Sequence, residues 1–213
     1  MFQIFENAWT KPELAWFYED MQKTKTETSK QSTDEPKYRD LASLRWPCHP
    51  GTDARNKLQK KISKLFPNHG IGFAAYVEQH ESNKLHCDSY GGPFGLTCII
   101  PLLEHAAGTD QTLVFDPMST EGTSMGSILI NLQETTKNKN SDRKFTHTKT
   151  YRLEHCQFGS VVDSLPLLGV FPYRQGDMVA FDKRLLHCSN NWKATDSTRQ
   201  HKDFIIVHTF LKV

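Results

Sequence analysis

The chain has 213 residues, 37% of them hydrophobic and 23% charged, enough apolar matter for one sizeable core and too little charge imbalance for disorder. Lys plus Arg is 26 against 24 Asp plus Glu, a net charge of +2, which excludes a general polyanion binder. No apolar run approaches the ~18 residues of a membrane span. The N-terminus MFQIFENAWTKPELAW lacks a basic head, an apolar stretch and a small-residue cleavage site, so secretion is not expected. Cys48, Cys87, Cys98, Cys156 and Cys188 are odd in number, widely spaced and without a C-x-x-C pair. That argues against a cysteine zinc site or a disulfide framework and for a reducing, cytoplasmic setting.

In chain order, Thr10-Lys11-Pro12-Glu13 is a capping box with proline in the first turn. It opens a helix over 11–22 carrying Leu14, Trp16, Phe17 and Met21. Residues 23–37 are almost wholly polar and are expected to form a long loop. A second helix, 53–66, follows Thr52, with Leu58, Ile62 and Leu65 at helical intervals. After Pro67 the texture changes to short apolar runs between turn residues: IGFAAYV, FGLTCIIPLL, QTLVF, SILINL, LPLLGVF, DMVAF and FIIVHTFL. Their length and β-branched content predict strands. So many in about 145 residues predict a sandwich, jelly roll or small barrel. The expected organisation is a single domain over 1–213. Residues 1–67 form a helical N-terminal buttress, and 68–213 form the β core with a loop insertion at about 133–150.

His86-Cys87-Asp88 is the first candidate site. Residues i and i+2 of a strand share a side, so His86 and Asp88 can face inward together. They would supply two ligands of a 2-His-1-carboxylate centre, the usual holder of Fe(II) in non-haem oxygenases. With ten histidines and 24 acidic residues, about one H-x-D/E arises by chance, and this chain has two. The other, His201-Lys202-Asp203, is followed only by His208, which would point to the opposite face of the same strand. Downstream of Asp88 lie His105, His147, His155, His187, His201 and His208. His187 has the most informative setting. A Gly176-Asp177 turn opens the apolar strand Met178-Val179-Ala180-Phe181-Asp182, and Lys183-Arg184-Leu185-Leu186 brings the histidine to a strand end.

In this order the chain resembles the Fe(II)- and 2-oxoglutarate-dependent oxygenases, phytanoyl-type or prolyl-hydroxylase-like members among them. Their pattern is H-x-D, a long gap, a G-D-apolar strand, a distal histidine and a later basic residue. Here these are His86-x-Asp88, Gly176 to Asp182, His187 and Arg199. Leu96 to Leu102 and Thr112 to Phe115 look like the two strands that follow H-x-D there. His187-Cys188-Ser189-Asn190-Asn191 is similar to the H-x-S-x-N of phytanoyl-type members. The resemblance covers about residues 71–213.

It implies a double-stranded β-helix, a jelly-roll or cupin-like fold. It also implies a catalytic metal centre of His86, Asp88 and His187, and a dioxygenase using Fe(II), 2-oxoglutarate and, in assays, ascorbate. A guanidinium fork suits the far carboxylate of 2-oxoglutarate. Arg199 is the implied anchor and Lys202 the rival, with Arg199-Gln200-His201 standing where many members have Arg-x-Ser. Tyr76 would add a hydroxyl to the same carboxylate. The intact Asp88 disfavours halogenation. The implied reaction is hydroxylation of a small molecule or an amino-acid or peptide side chain. A cupin-like metal- or ligand-binding jelly roll without turnover is the alternative. Nucleic acid is disfavoured as substrate because no second arginine follows Arg199 in an R-x-N-x-x-x-x-R arrangement. Arg39, Arg45 and Trp46 are candidate lining for the substrate mouth, and the basic loop 133–150 is a candidate lid.

Overall fold

The computed structural model of the chain describes residues 1–31, 43–80, 86–88, 94–103, 111–118, 167–189 and 201–212. Helix α1 spans Lys11–Gln31 and α2 spans Asp53–Leu65. The strands are β1 (Phe2–Phe5), β2 (Ser43–Pro47), β3 (His69–Gln79), β4 (Leu96–Pro101), β5 (Gln111–Met118), β6 (Leu167–Pro172), β7 (Met178–Asp182), β8 (Leu185–Ser189) and β9 (Lys202–Leu211). Every pairing between them is antiparallel. A major sheet runs β1-β7-β4-β9-β3-β2 and a minor sheet β6-β5-β8. This is the expected jelly roll, with two helices against the major sheet. The expected strand SILINL and the loop 133–150 lie outside the described residues.

Two layers of core explain the architecture. Between the sheets, Ala75, Val77, Ile99, Val179, Phe181, Phe204 and Ile206 of the major sheet meet Val114, Phe171 and Leu185 of the minor one. On the other side of the major sheet, Ala74, Tyr76, Cys98, Ile100, Ala180, Ile205 and Val207 pack on Leu14, Phe17, Met21, Leu58 and Ile62 of the helices. Successive residues of β4 and β9 therefore serve opposite layers, and both faces are buried. That is why FIIV and LTCII read as continuous apolar runs without alternation. Each fully buried Leu, Ile or Phe contributes roughly 1.5–3 kcal/mol relative to exposure.

The helix caps fall where expected. Thr10 N donates to Glu13 Oε2 at 2.8 Å, and Glu13 N donates to Thr10 Oγ1 at 3.4 Å. Thr52 Oγ1 accepts from Arg55 N at 3.3 Å. Two features differ from expectation. Helix α1 continues through 23–31, which had been assigned to a loop. No Gly or Pro interrupts that stretch, and Lys, Glu and Gln are adequate helix formers. Its Thr24 and Thr26 hydroxyls bond back to the carbonyls of Asp20 and Gln22, so the extension is polar but still helical. The N-terminal segment is also more than a helical buttress. It supplies β1 and β2, the two edges of the major sheet, through strands too short to announce themselves by pattern. Among the described residues, no helix is long and apolar enough to cross a membrane, and Cys48 and Cys98 are buried free thiols.

Candidate metal centre

The site begins with a two-residue fragment of ladder. His86 N donates to His187 O at 3.0 Å and His187 N to His86 O at 2.8 Å, an isolated antiparallel bridge. Residues paired this way sit directly opposite with side chains on one face. The two rings are accordingly 4.2 Å apart, centroid to centroid. Asp88 lies two residues past His86, and its N–H is pinned to Lys183 O at 2.8 Å, which turns its carboxylate to the same side. His187 Nε2 is 3.2 Å from Asp88 Oδ2, and His86 Nε2 is 3.7 Å from Asp88 Oδ1. One donor atom from each of the three residues lies within 4.8 Å of the other two. The structure thus brings together His86, Asp88 and His187 from sites a hundred residues apart in the chain.

The surroundings orient these donors. His187 Nδ1 is 3.1 Å from the Leu185 carbonyl, which only accepts, so Nδ1 carries a proton and Nε2, turned toward Asp88, is the nitrogen that can bind a metal once its own proton leaves. Thr97, on the inner face of β4, donates Oγ1–H to Asp88 Oδ2 at 2.7 Å. Its single hydrogen so used, that hydroxyl accepts from His208 Nδ1 at 3.1 Å. His208 is stacked on Phe73 at 5.6 Å. A relay His208–Thr97–Asp88 therefore fixes the carboxylate. Gly95 makes the approach possible. At φ +145, a Cβ there would stand 2.0 Å from the Thr209 carbonyl oxygen, so only glycine lets the start of β4 lie against β9 beside Thr97.

Electrostatics follow from burial and these neighbours. Burial works against an ionised Asp88, but the charges of His187, His208 and His86 more than offset it and hold its pKa well below the usual carboxylate range. Burial pulls His187 down, the Asp88 carboxylate pulls it up, and the balance is above its ordinary value. For His208 burial dominates and the pKa falls below its ordinary value.

His86 and His187 form one wall of a narrow inter-sheet pocket. The rest is built from Arg45, Val77, Gln79, Ile99, Thr112, Tyr173, Ser189, Phe204 and Ile206, inner-face residues of both sheets. Gln79 Nε2 donates to Ser189 Oγ at 3.2 Å across it. Lys202 opens β9 directly opposite Gln79 and so projects to this inner side. It is 2% exposed, and its Nζ lies 4.6 Å above the Tyr173 ring, whose body lines the pocket. Arg45 joins the pocket as its sequence position suggested.

The remaining candidates are placed as follows. Tyr76 does not reach this pocket. It belongs to the helix-facing register of β3, and its hydroxyl donates to Asp20 Oδ2 on α1 at 2.6 Å. The parity of the strand turns it away, since Ala75 and Val77 take the inward positions. Trp46 shares that outer side, beneath Lys25. Asp177 accepts from Asn7 N at 3.0 Å and shapes the turn that opens β7. Arg199 and Arg39 lie outside the described residues. Thr97 and His208 escaped sequence reading. The signal available was register parity, because both share the inward phase of runs already read as strands.

No protein-family model matches the chain, and no curated protein matches it significantly. Solved structures do match in fold. The epimerase SnoN in complex with Fe3+, alpha-ketoglutarate and nogalamycin RO gives a TM-score of 0.60 at 11% identity, over 98% of this chain and 78% of that one. HygX from Streptomyces hygroscopicus with nickel and 2-oxoglutarate gives 0.58 at 11% identity, over 99% and 82%. A Pseudomonas putida prolyl-4-hydroxylase gives 0.51 at 9% identity, over 100% and 93%. The chain shares the jelly-roll fold of these 2-oxoglutarate oxygenase structures across nearly its whole length.

Proposed function

We propose that this chain is a non-haem Fe(II)- and 2-oxoglutarate-dependent dioxygenase that hydroxylates a small molecule or an amino-acid side chain. The observation that carries the reading is the convergence of His86, Asp88 and His187 on the wall of an inter-sheet pocket. Two imidazoles and one carboxylate on one side, with space on the other, suit Fe(II) and its open positions. Bound there, iron and 2-oxoglutarate would supply oxidative decarboxylation coupled to C–H hydroxylation with dioxygen as the oxidant, one oxygen atom going to succinate and the other to the substrate hydroxyl, with carbon dioxide released.

The protein's own part is to hold the donors and shape the pocket. Leu185 O keeps His187 in the tautomer that offers Nε2. Thr97 and His208 hold Asp88 ionised and oriented. The far carboxylate of the cosubstrate needs a buried cation. Arg199 is one candidate; Lys202, buried on the inner side of β9 over Tyr173, is the other, and it is supported by its position. Val77, Ile99, Phe204 and Ile206 keep water from the space between cation and metal, and Arg45 offers a charge at the pocket to an anionic substrate. Fold neighbours described as a prolyl-4-hydroxylase, a non-heme alpha-ketoglutarate-dependent epimerase and a non-heme alpha-ketoglutarate-dependent carbocyclase support the choice of cosubstrate, with hydroxylation one of the outcomes in such folds. A panel of metabolites, amino acids and peptides, assayed for succinate release with Fe(II), 2-oxoglutarate and ascorbate, tests the proposal. Substrate-stimulated succinate, lost in His187→Ala, is the expected result. Iron binding with no succinate from any member, and none of the slow uncoupled turnover, would favour a binding jelly roll.

A further inference from the structure

The second H-x-D of the chain, His201-Lys202-Asp203, opens β9 across the ladder from the end of β3. Asp203 is opposite Glu78 and Lys202 opposite Gln79, so one further step brings His201 beside His80. Alternation sends Glu78, His80, His201 and Asp203 to one face of the sheet and Lys202 to the other. The four thus make two adjacent cross-strand pairs, at the spacing where such side chains touch. His80 Nε2 is 2.9 Å from Glu78 Oε1. His201 Nε2 is 3.3 Å from Asp203 Oδ2 and 3.8 Å from Glu78 Oε2. Donor atoms of Glu78, His80 and His201 all fall within 4.8 Å of one another. A tetrahedral ion with bonds of ~2.0–2.2 Å wants donors ~3.3–3.6 Å apart.

Protein hydrogen bonds leave this array unfinished. The Asp203 side chain is 1% exposed, and among the described residues neither of its oxygens receives a hydrogen bond; the His201 nitrogen is close but not aligned. A buried carboxylate left so is costly. Lys25, reaching from α1, engages Glu78 Oε2 and supplies part of the positive charge that the cluster calls for.

We propose that Glu78, His80, His201 and Asp203 form a second, structural site for a divalent transition-metal ion of the zinc type, on the outer face of the major sheet. Glu78, His80 and His201 supply three converging ligands, and a small shift of the Asp203 carboxylate, now 3.3 Å from His201 Nε2, would close the tetrahedral set and leave no position for substrate. The ion displaces Lys25 from Glu78 and gives Asp203 its missing partner. It ties the end of β3 to the start of β9, and so holds the backbone from which Lys202 projects into the pocket on the other side. No family resemblance predicts it, and it does not depend on the oxygenase reading.

The test uses the full chain and Zn(II) alone, in a His86→Ala, His187→Ala background that disables the inner triad. Equilibrium dialysis with metal analysis should find about one equivalent bound. Adding His80→Ala should weaken it at least ~10-fold. His80 is 43% exposed, so this change spares the core, which far-UV circular dichroism verifies. Glu78→Gln should do the same, and Co(II) in place of Zn(II) should give the intense visible bands of four-coordination, lost in both variants. No Zn(II) bound in the triad-free background, or binding indifferent to both His80→Ala and Glu78→Gln, overturns the proposal and leaves an ion-pair network. Iron and 2-oxoglutarate binding by the wild-type chain is a separate readout, so failure here and failure of the oxygenase reading are distinguishable.

Discussion

Two clusters of histidine and carboxylate lie on either side of the major sheet, one between the two sheets and one on the outer face, and each contains an H-x-D. The inner one, His86-x-Asp88 with His187, opens on a pocket and has an oriented carboxylate, a fixed tautomer and a buried lysine along the same inner wall. The outer one, His201-x-Asp203 with Glu78 and His80, is met by Lys25 from α1, and none of its four residues lines that pocket. The motif is the same and the chemistry offered is not. What separates a reactive metal site from a structural one is the space left on the far side of the donors, and strand parity decides which space they see.

Breaking the inner cluster should have the largest effect. Asp88→Ala or His187→Ala should reduce succinate formation ~1000-fold or more, because the metal loses one of three ligands, while a melting curve shows the fold retained. Next comes the cation. Removing one partner of a buried guanidinium– or ammonium–carboxylate pair costs ~3–5 kcal/mol, so the true anchor, replaced by alanine, should raise the KM for 2-oxoglutarate ~100-fold or more. Running Lys202→Ala beside Arg199→Ala sharpens the comparison, since Lys202 stands between His201 and Asp203 of the outer cluster while it projects to the inner pocket. Thr97→Val should cut metal affinity ~10-fold by freeing the Asp88 carboxylate, with little loss of stability.

The pH response probes the inner face. In the metal-free protein the pKa of His187 lies above its ordinary ~6.5. Its pairing with Asp88 therefore stabilises fully below about 6.5, and this contribution is lost as pH rises through the folded-state value. Metal binding requires the proton to leave His187 Nε2, so inner-site affinity should rise with pH across the same window. Metal titrations at pH 6 and pH 8 check both signs. The smallest effect is expected at Tyr76→Phe. Losing the hydrogen bond to Asp20 should cost ~1–3 kcal/mol, a melting-temperature drop of ~2–10 °C, with the KM for 2-oxoglutarate unchanged. A large rise in that KM would return Tyr76 to the pocket and break the face assignment.

Much of this was legible in the chain. Short punctuated apolar runs announce the strands, the Thr10–Glu13 box and Thr52 announce the helices, and His86 and His187 stand out among ten histidines by their settings, with Asp88 two residues past the first. What the chain concealed is parity and partnership. Tyr76 lies on a strand buried on both faces, so no polar alternation reveals which way it turns. His201 and Asp203 were judged against downstream residues only, whereas their neighbours, Glu78 and His80, come from more than a hundred residues upstream through the β3–β9 pairing. Thr97 sits in an apolar run where a single hydroxyl carries no pattern, and β1 and β2 have four and five residues, too few for periodicity to show.

The central claim is that the inner cluster binds iron and chelated 2-oxoglutarate together. Anaerobic titration of the metal-free chain with Fe(II) and then 2-oxoglutarate tests it most directly. A weak visible charge-transfer band near ~500 nm, arising from bidentate keto-acid chelation at a 2-His-1-carboxylate iron, should appear in the wild type, persist in His80→Ala and vanish in His187→Ala. Stoichiometric Fe(II) binding with no such band at saturating 2-oxoglutarate would contradict the account.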